Sequence, residues 1–178
     1  MIDKNKRFEA LLLPHMDAAY NLARWLLHDG HLAEDVVQDA YLNAFRFFDT
    51  LRGEAAKPWL LGIVRNASFD LLRQRGREPM AADIDVDIDW ADEEGVLGTV
   101  SHTPEAILLE RCSTAQIDTA IAALPPVFRE VIVLRELEEM SYQDIAQLVG
   151  VPVGTVMSRL ARARGMLRTA LAPLVREK

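Results

Sequence analysis

Thr155, Ser158, Arg159 and Arg162 lie in the stretch "GVPVGTVMSRLARARGMLR", which starts at Gly150. On a helix they fall within an arc of about 100°. That arc faces away from an apolar stripe of Val156, Leu160, Ala163, Leu167 and Ala170. Grouped hydroxyls and guanidiniums suit nucleic acid: arginine can bond guanine through two donors, and serine or threonine can reach bases or phosphates. Arg159 is nearer the helix start and suits a base edge; Arg162 suits a phosphate. Arg164 and Arg168 lie on another flank, fit for phosphates or for salt bridges within the protein. The same residues also fit a solvated face of an ordinary surface helix. The segment before them, "SYQDIAQLVG", has the S-x-x-D spacing of a helix cap at Ser141 and ends in a glycine. A short capped helix, a turn through Gly150 and Pro152, and a longer helix with a polar N-terminal face form a helix-turn-helix pattern.

Two further faces could do chemistry. Arg65, Asn66, Phe69, Asp70 and Arg73 share an arc of about 140° on one helix, with Trp59 at its edge. An exposed aromatic between arginines suits stacking on bases of a single strand; the alternative is that Phe69 packs on a neighbouring helix while Asp70 pairs with Arg73. Asp35, Gln38, Asp39, Leu42 and Arg46 share another stripe, where acids around an exposed leucine suit a protein partner, or simply a solvated face. Catalysis finds no support: there is no nucleophile–base pair and no phosphate-cradling glycine loop. His28, His31 and Glu34 faintly echo a metal site, but the intervening Asp-Gly should break the helix. No catalytic residue, metal or cofactor is expected.

These faces need helices to hold them. Phe8, Leu12, Met16, Ala19, Ala23 and Leu26 recur at helical spacing. "HDGH" at 28–31 breaks that run, and a second helix is predicted from near Leu32, with Glu34 and Asp35 in its first turn. "LRGEAAKP" at 51–58 reads as a loop, with Pro58 in the first turn of a third helix. The apolar stripe of that helix is Leu60, Ile63, Val64, Ala67 and Leu71. Beyond residue 103, "PEAILLERCSTAQIDTAIAAL" reads as helical throughout, and Pro125-Pro126 opens another helix. The expected fold is all-α: two small helical domains, 1–77 and 104–178, joined by a flexible acidic linker over 78–103.

The net charge of −7 argues against nucleic acid only as an average. Residues 78–110 hold ten acids and no Lys or Arg, whereas 1–77 hold eleven bases against ten acids and 111–178 nine against seven. "DIDVDIDW" in the joint alternates like a strand, but no partner strand is evident. A single cysteine, Cys112, permits no intrachain disulfide and reads as a small core residue. No apolar run approaches the roughly 20 residues of a membrane span, and no secretory signal is evident. A cytoplasmic protein without membrane insertion is expected.

"AEDVVQDAYLNAFRFFDTL", "PWLLGIVRNASFDLLRQR" and "LPPVFREVIVLRELEEMSYQDIAQLVGVPVGTVMSRLARARGMLR" together resemble the extracytoplasmic-function (group IV) sigma factors of bacterial RNA polymerase. The resemblance covers both helical blocks in the family's order. It implies a transcription initiation factor that binds core polymerase through its β and β′ subunits, directs it to −35 and −10 promoter elements and assists melting. Residue by residue, it implies that Asp35, Gln38 and Asp39 dock on the β′ clamp helices, with Leu42 on the same face. Trp59, Arg65, Asn66, Phe69, Asp70 and Arg73 would meet the −10 element, and 141–170 would read the −35 element. The loop 52–57 would capture a flipped base. Promoter DNA and an anti-sigma factor are the further partners implied. A factor that borrows affinity from polymerase need not be basic overall, and the acidic joint could lie in a basic polymerase channel. The rival is a free-standing helix-turn-helix repressor or activator, which would need a dimer interface that is not evident.

Overall fold

A computed structural model describes residues 3–53, 55–76 and 112–176. Helix α1 spans Lys4–Leu12 and is capped by Asp3, whose carboxylate accepts from the Asn5 amide. Pro14 then sits in a short 3-10 turn, Leu13–His15, before α2, Met16–Leu27. The run predicted from Phe8 to Leu26 is therefore two helices, and Met16 lies 44% exposed rather than on the core face. His28, at φ 56°, ends α2 in the left-handed region.

Helix α3 runs Gly30–Phe47, two residues earlier than expected. Asp29 caps it by accepting from the Leu32 amide at 3.1 Å, and that bond holds the Asp29 carboxyl below its usual range. The cap, and not Glu34 or Asp35, thus serves the first turn. A second 3-10 turn, Phe48–Thr50, leads into the loop, and α4 spans Ala56–Gln74 with Pro58 in its first turn. Helices α2, α3 and α4 pack on one another around Leu22, Leu26, Val36, Ala40, Leu60 and Val64.

The second block opens on Ser113, extended at φ −72°, ψ 155°, which caps α5, Thr114–Ala123, in a reciprocal capping box with Gln116. A helix continuous through 113 is thereby corrected. Residues 77–111, with the predicted acidic linker and "DIDVDIDW", lie outside the described residues. Cys112 is half-buried, not a core residue. Helix α6, Pro126–Ile132, starts at the predicted prolines and continues into a π-helical turn, Val133–Leu137. Helices α7, Tyr142–Val149, and α8, Val153–Arg176, complete the chain.

All regular structure among the described residues is helical, in two blocks as expected. The blocks do not stand apart. Helix α6 packs on α2, and α7 packs on α4, so that one hydrophobic cluster runs through both. Gly62 in α4 faces Leu148 in α7, where a Cβ on the glycine would lie 3.9 Å from the leucine Cγ, an ordinary contact. This contact explains why the buried face of α4 is Leu60, Leu61, Val64, Ser68, Phe69 and Leu72, rotated from the predicted stripe. A helix covered from two sides cannot show a single clean stripe.

Candidate nucleic-acid interfaces and the carboxylate between them

Helix α7 starts where Ser141 Oγ accepts from the Asp144 amide at 3.1 Å. It ends at Gly150, whose φ of 79° a residue with a Cβ would adopt only with strain. The amides of Gly150 and Val151 both donate to the Ala146 carbonyl, at 2.9 and 3.1 Å, and turn the chain into α8. Ile145, Ala146 and Val149 then bury against Val156, Leu160 and Ala163. Leu167 is half-buried at the end of that stripe and Ala170 is exposed beyond it. The helix-turn-helix is built as its caps and glycine dictate.

The predicted polar arc of α8 is only partly open. Thr155, Ser158 and Arg162 are half-buried, and Ser158 Oγ donates to the carbonyls of Gly154 and Thr155. The Arg162 guanidinium lies 5.8 Å from the Phe128 ring centroid. Arg159 is buried, contrary to its predicted outward direction. The most exposed side chains near the start of α8 are Val153 and Met157. Arg164 takes the salt-bridge option, holding Glu136 at 2.7 Å.

On α4, Asn66, Asp70 and Arg73 are exposed, and Arg73 pairs with Asp70. Trp59 is half-buried at the edge. Phe69 is not the exposed aromatic that the sequence suggested: it is 3% exposed, with the Arg65 guanidinium 4.3 Å above its ring. The α3 face does match expectation. Asp35, Gln38 and Asp39 are exposed, and Leu42 is 57% exposed among them.

What covers Arg65 and Arg159 is Glu130 on α6, a residue that sequence reasoning missed. Its carboxylate accepts from Arg65 Nε at 2.7 Å and from Arg65 Nη2 at 3.1 Å, a two-pronged bond across the two blocks. Arg159 Nη1 stands 3.9 Å from the same carboxylate. Glu130 has no solvent exposure. Burial pushes its carboxyl above the usual range, against the opposing pull of the two guanidiniums. Its neighbour Arg129 clips the blocks together elsewhere. It donates to the carbonyls of Trp25 and Leu26 at the end of α2, at 3.0 and 3.4 Å, and to those of Ala122 and Leu124. Burial lowers the Arg129 guanidinium to about 10, still charged at neutral pH. Lys57 adds a third cross-block tie, to Glu138 at 3.1 Å. The available signal was "VFREVI", in which Arg129 and Glu130 interrupt an otherwise apolar helix.

Among the described residues no three His, Cys, Asp or Glu side chains converge as a metal site, and no helix is long and apolar enough to cross a membrane. Comparison with known proteins matches residues 11–78 to the sigma-70 region 2 family and residues 114–167 to sigma-70 region 4. RNA polymerase sigma-H factor of Pseudomonas aeruginosa is 35% identical over 174 residues, covering 97% of this chain and 90% of that protein. The ECF RNA polymerase sigma-E factor of Escherichia coli K12 is 34% identical over 173 residues, covering 96% and 90%. Two solved structures share the fold. The sigma factor RpoE of Bartonella quintana, in complex with the anti-sigma factor NepR, has a TM-score of 0.69 at 30% identity, over 94% of this chain and 98% of that one. CnrH, in complex with the cytosolic domain of CnrY, has a TM-score of 0.64 at 26% identity, over 95% and 90%. A region 2 block, a region 4 helix-turn-helix and relatives of full length place the chain in one family: it belongs to the extracytoplasmic-function sigma factors of the sigma-70 family, and is a transcription initiation factor.

Proposed function

We propose that this sigma factor works in the cytoplasm, without catalytic activity of its own, as the promoter-reading subunit of an RNA polymerase holoenzyme. Residues 1–77 bind core polymerase and the −10 element, 104–178 bind the −35 element, and 78–103 join them. Asp35, Gln38, Asp39 and Leu42 dock on the polymerase. Trp59, Arg65, Asn66, Phe69, Asp70 and Arg73 serve the −10 element; Thr155, Ser158, Arg159 and Arg162 serve the −35 element, with the N-terminus of α8 favouring phosphate. An anti-sigma factor is a further partner, by analogy with the related RpoE, which is held by the anti-sigma factor NepR. The observation that carries this reading is the pairing, in one chain, of a capped helix-turn-helix with an exposed Asp35–Leu42 face that remains open to a protein partner. A free-standing repressor needs no such face.

The test is a gel-shift and footprint on promoter DNA with and without purified core polymerase. Specific protection of two spaced elements that appears only when core is added supports the proposal. Equal, sequence-specific binding by the chain alone, unaffected by core, would assign it to the repressor class.

A further inference from the structure

In the first two turns of α8 the exposed side chains are Val153 and Met157, at 37% and 44% exposure. Four residues apart, they neighbour each other on one side of the helix. They lie outside the buried stripe of Val156, Leu160 and Ala163, which already fills the core side. A Cβ added to Gly154 beside them would meet no atom within 4 Å, so the ground in front of the pair is open. The polar candidates near them are engaged. Ser158 Oγ donates to the carbonyls of Gly154 and Thr155, Arg159 is buried beside Glu130, and the Arg162 guanidinium lies against the Phe128 ring. The open part of this helix start is therefore apolar, where the sequence pattern pointed to hydrogen-bond donors.

Position in the motif selects the occupant. In a helix-turn-helix the N-terminal residues of the second helix meet base edges in the major groove. The apolar group displayed on those edges is the C5-methyl of thymine; the other groups there are donors and acceptors. The pair is also continuous with Thr155 and Ser158, which the assignment given above places at the same groove. We propose that Met157, with Val153 beside it, selects thymine within the −35 element by packing on C5-methyl groups in the major groove. The proposal rests on the assignment of α8 to that element. Methionine suits the task because it is unbranched and its thioether adapts to an irregular apolar surface. Valine at the first helical position is shorter and stiffer, and packs beside it. Discrimination comes from the wrong bases as much as from the right one. A cytosine or adenine amino group, or a guanine oxygen, set against the thioether would lose water and gain no hydrogen bond. Base selection of this kind needs no arginine, so it operates although Arg159 is buried.

Deoxyuridine is the probe, because it removes the methyl of thymine and keeps every hydrogen-bonding group. Holoenzyme assembled from the full chain and core polymerase first selects duplexes randomised over the upstream element. Each thymine of the selected element is then replaced singly by deoxyuridine, and affinity is measured for wild type, Met157→Ala and Val153→Ala. Burying one methyl-sized group is worth about fourfold in affinity. Wild type should therefore lose about three- to fivefold at one or two positions. Met157→Ala should bind the thymine duplex about as weakly as wild type binds the deoxyuridine one, and lose little more on the exchange. A fresh selection with Met157→Ala should show relaxed preference at the same positions, with circular dichroism unchanged because the side chain is exposed. A selected element without T·A pairs, or deoxyuridine tolerated by wild type at every position, would overturn the proposal. So would a methyl sensitivity that both alanine variants keep, since another residue would then read the methyl. Weaker binding of core polymerase by Met157→Ala, with base preference intact, would assign the pair to a protein contact and overturn it equally. A wild-type holoenzyme that enriches no sequence would instead be a failure of the −35 assignment itself, visible before any deoxyuridine is introduced.

Discussion

Replacing Arg129 with methionine removes one guanidinium from four carbonyl oxygens at once. The stem volume is largely kept, so the loss is mainly electrostatic. A hydrogen bond from a charged donor contributes about 1.5–3 kcal/mol. Four such bonds would suggest a larger total than is expected, because the guanidinium also loses its hydration on burial, and methionine escapes that cost. The carbonyls of Trp25 and Leu26 sit in the last turn of α2, where the helix dipole favours a cation, and they lose that partner. A net loss of about 2–4 kcal/mol follows, a large share of the roughly 5–15 kcal/mol of a typical domain. Because Arg129 joins the blocks, the loss should also reduce cooperativity. Urea unfolding followed by tryptophan fluorescence and far-ultraviolet circular dichroism measures both. Wild type should show coincident transitions, whereas Arg129→Met should show a lower midpoint and probes that separate. Arg129→Lys, with its charge and three donors, should fall between them. A change under about 0.5 kcal/mol with coincident transitions, the size of an ordinary surface substitution, would refute the clip.

Reversing both charges in Asp35→Arg/Asp39→Arg should weaken core-polymerase binding about tenfold or more in a pull-down titration, through like-charge repulsion at the docking rim, with circular dichroism unchanged because both side chains are exposed. Phe69→Ala should cost about 3–5 kcal/mol of stability as a buried aromatic; thermal unfolding within a degree of wild type would contradict its burial. Burial raises the Glu130 carboxyl above its unfolded value. Over that interval the folded chain holds a proton that the unfolded chain lacks, so stability should fall as pH rises from the ordinary carboxylate range through the raised value. Urea midpoints across a pH series should show this slope in wild type and not in Glu130→Gln.

The local elements were legible because each carries its own signal. Ser141 and Gly150 bound α7, Pro126 opens α6, and the Asp35–Leu42 face of α3 is as exposed as its polar pattern implied. Boundaries slipped where a cap lay just outside the apolar run, as at Asp29 and Ser113. The packing of the blocks was not legible. Periodicity reports one buried face per helix, and α4 has two. It also scores Arg129 and Glu130 as surface residues, since a charge buried by a partner far along the chain looks the same as a solvated one. Arg65 and Glu130 are 65 positions apart, and nothing local to either marks the other. Phe69 was open to two readings, an exposed aromatic or one packed on a neighbouring helix; it is buried in the hydrophobic cluster, with the Arg65 guanidinium over its ring.

The central claim is tested most directly by transcribing sheared genomic DNA of the source bacterium with core polymerase, with and without the purified chain, and mapping RNA 5′ ends. The account predicts new 5′ ends that appear only with the chain and share two upstream sequence elements at fixed spacing. It also predicts that they vanish with the Asp35→Arg/Asp39→Arg variant. An identical set of 5′ ends with and without the chain, under conditions where the chain binds DNA, would contradict it.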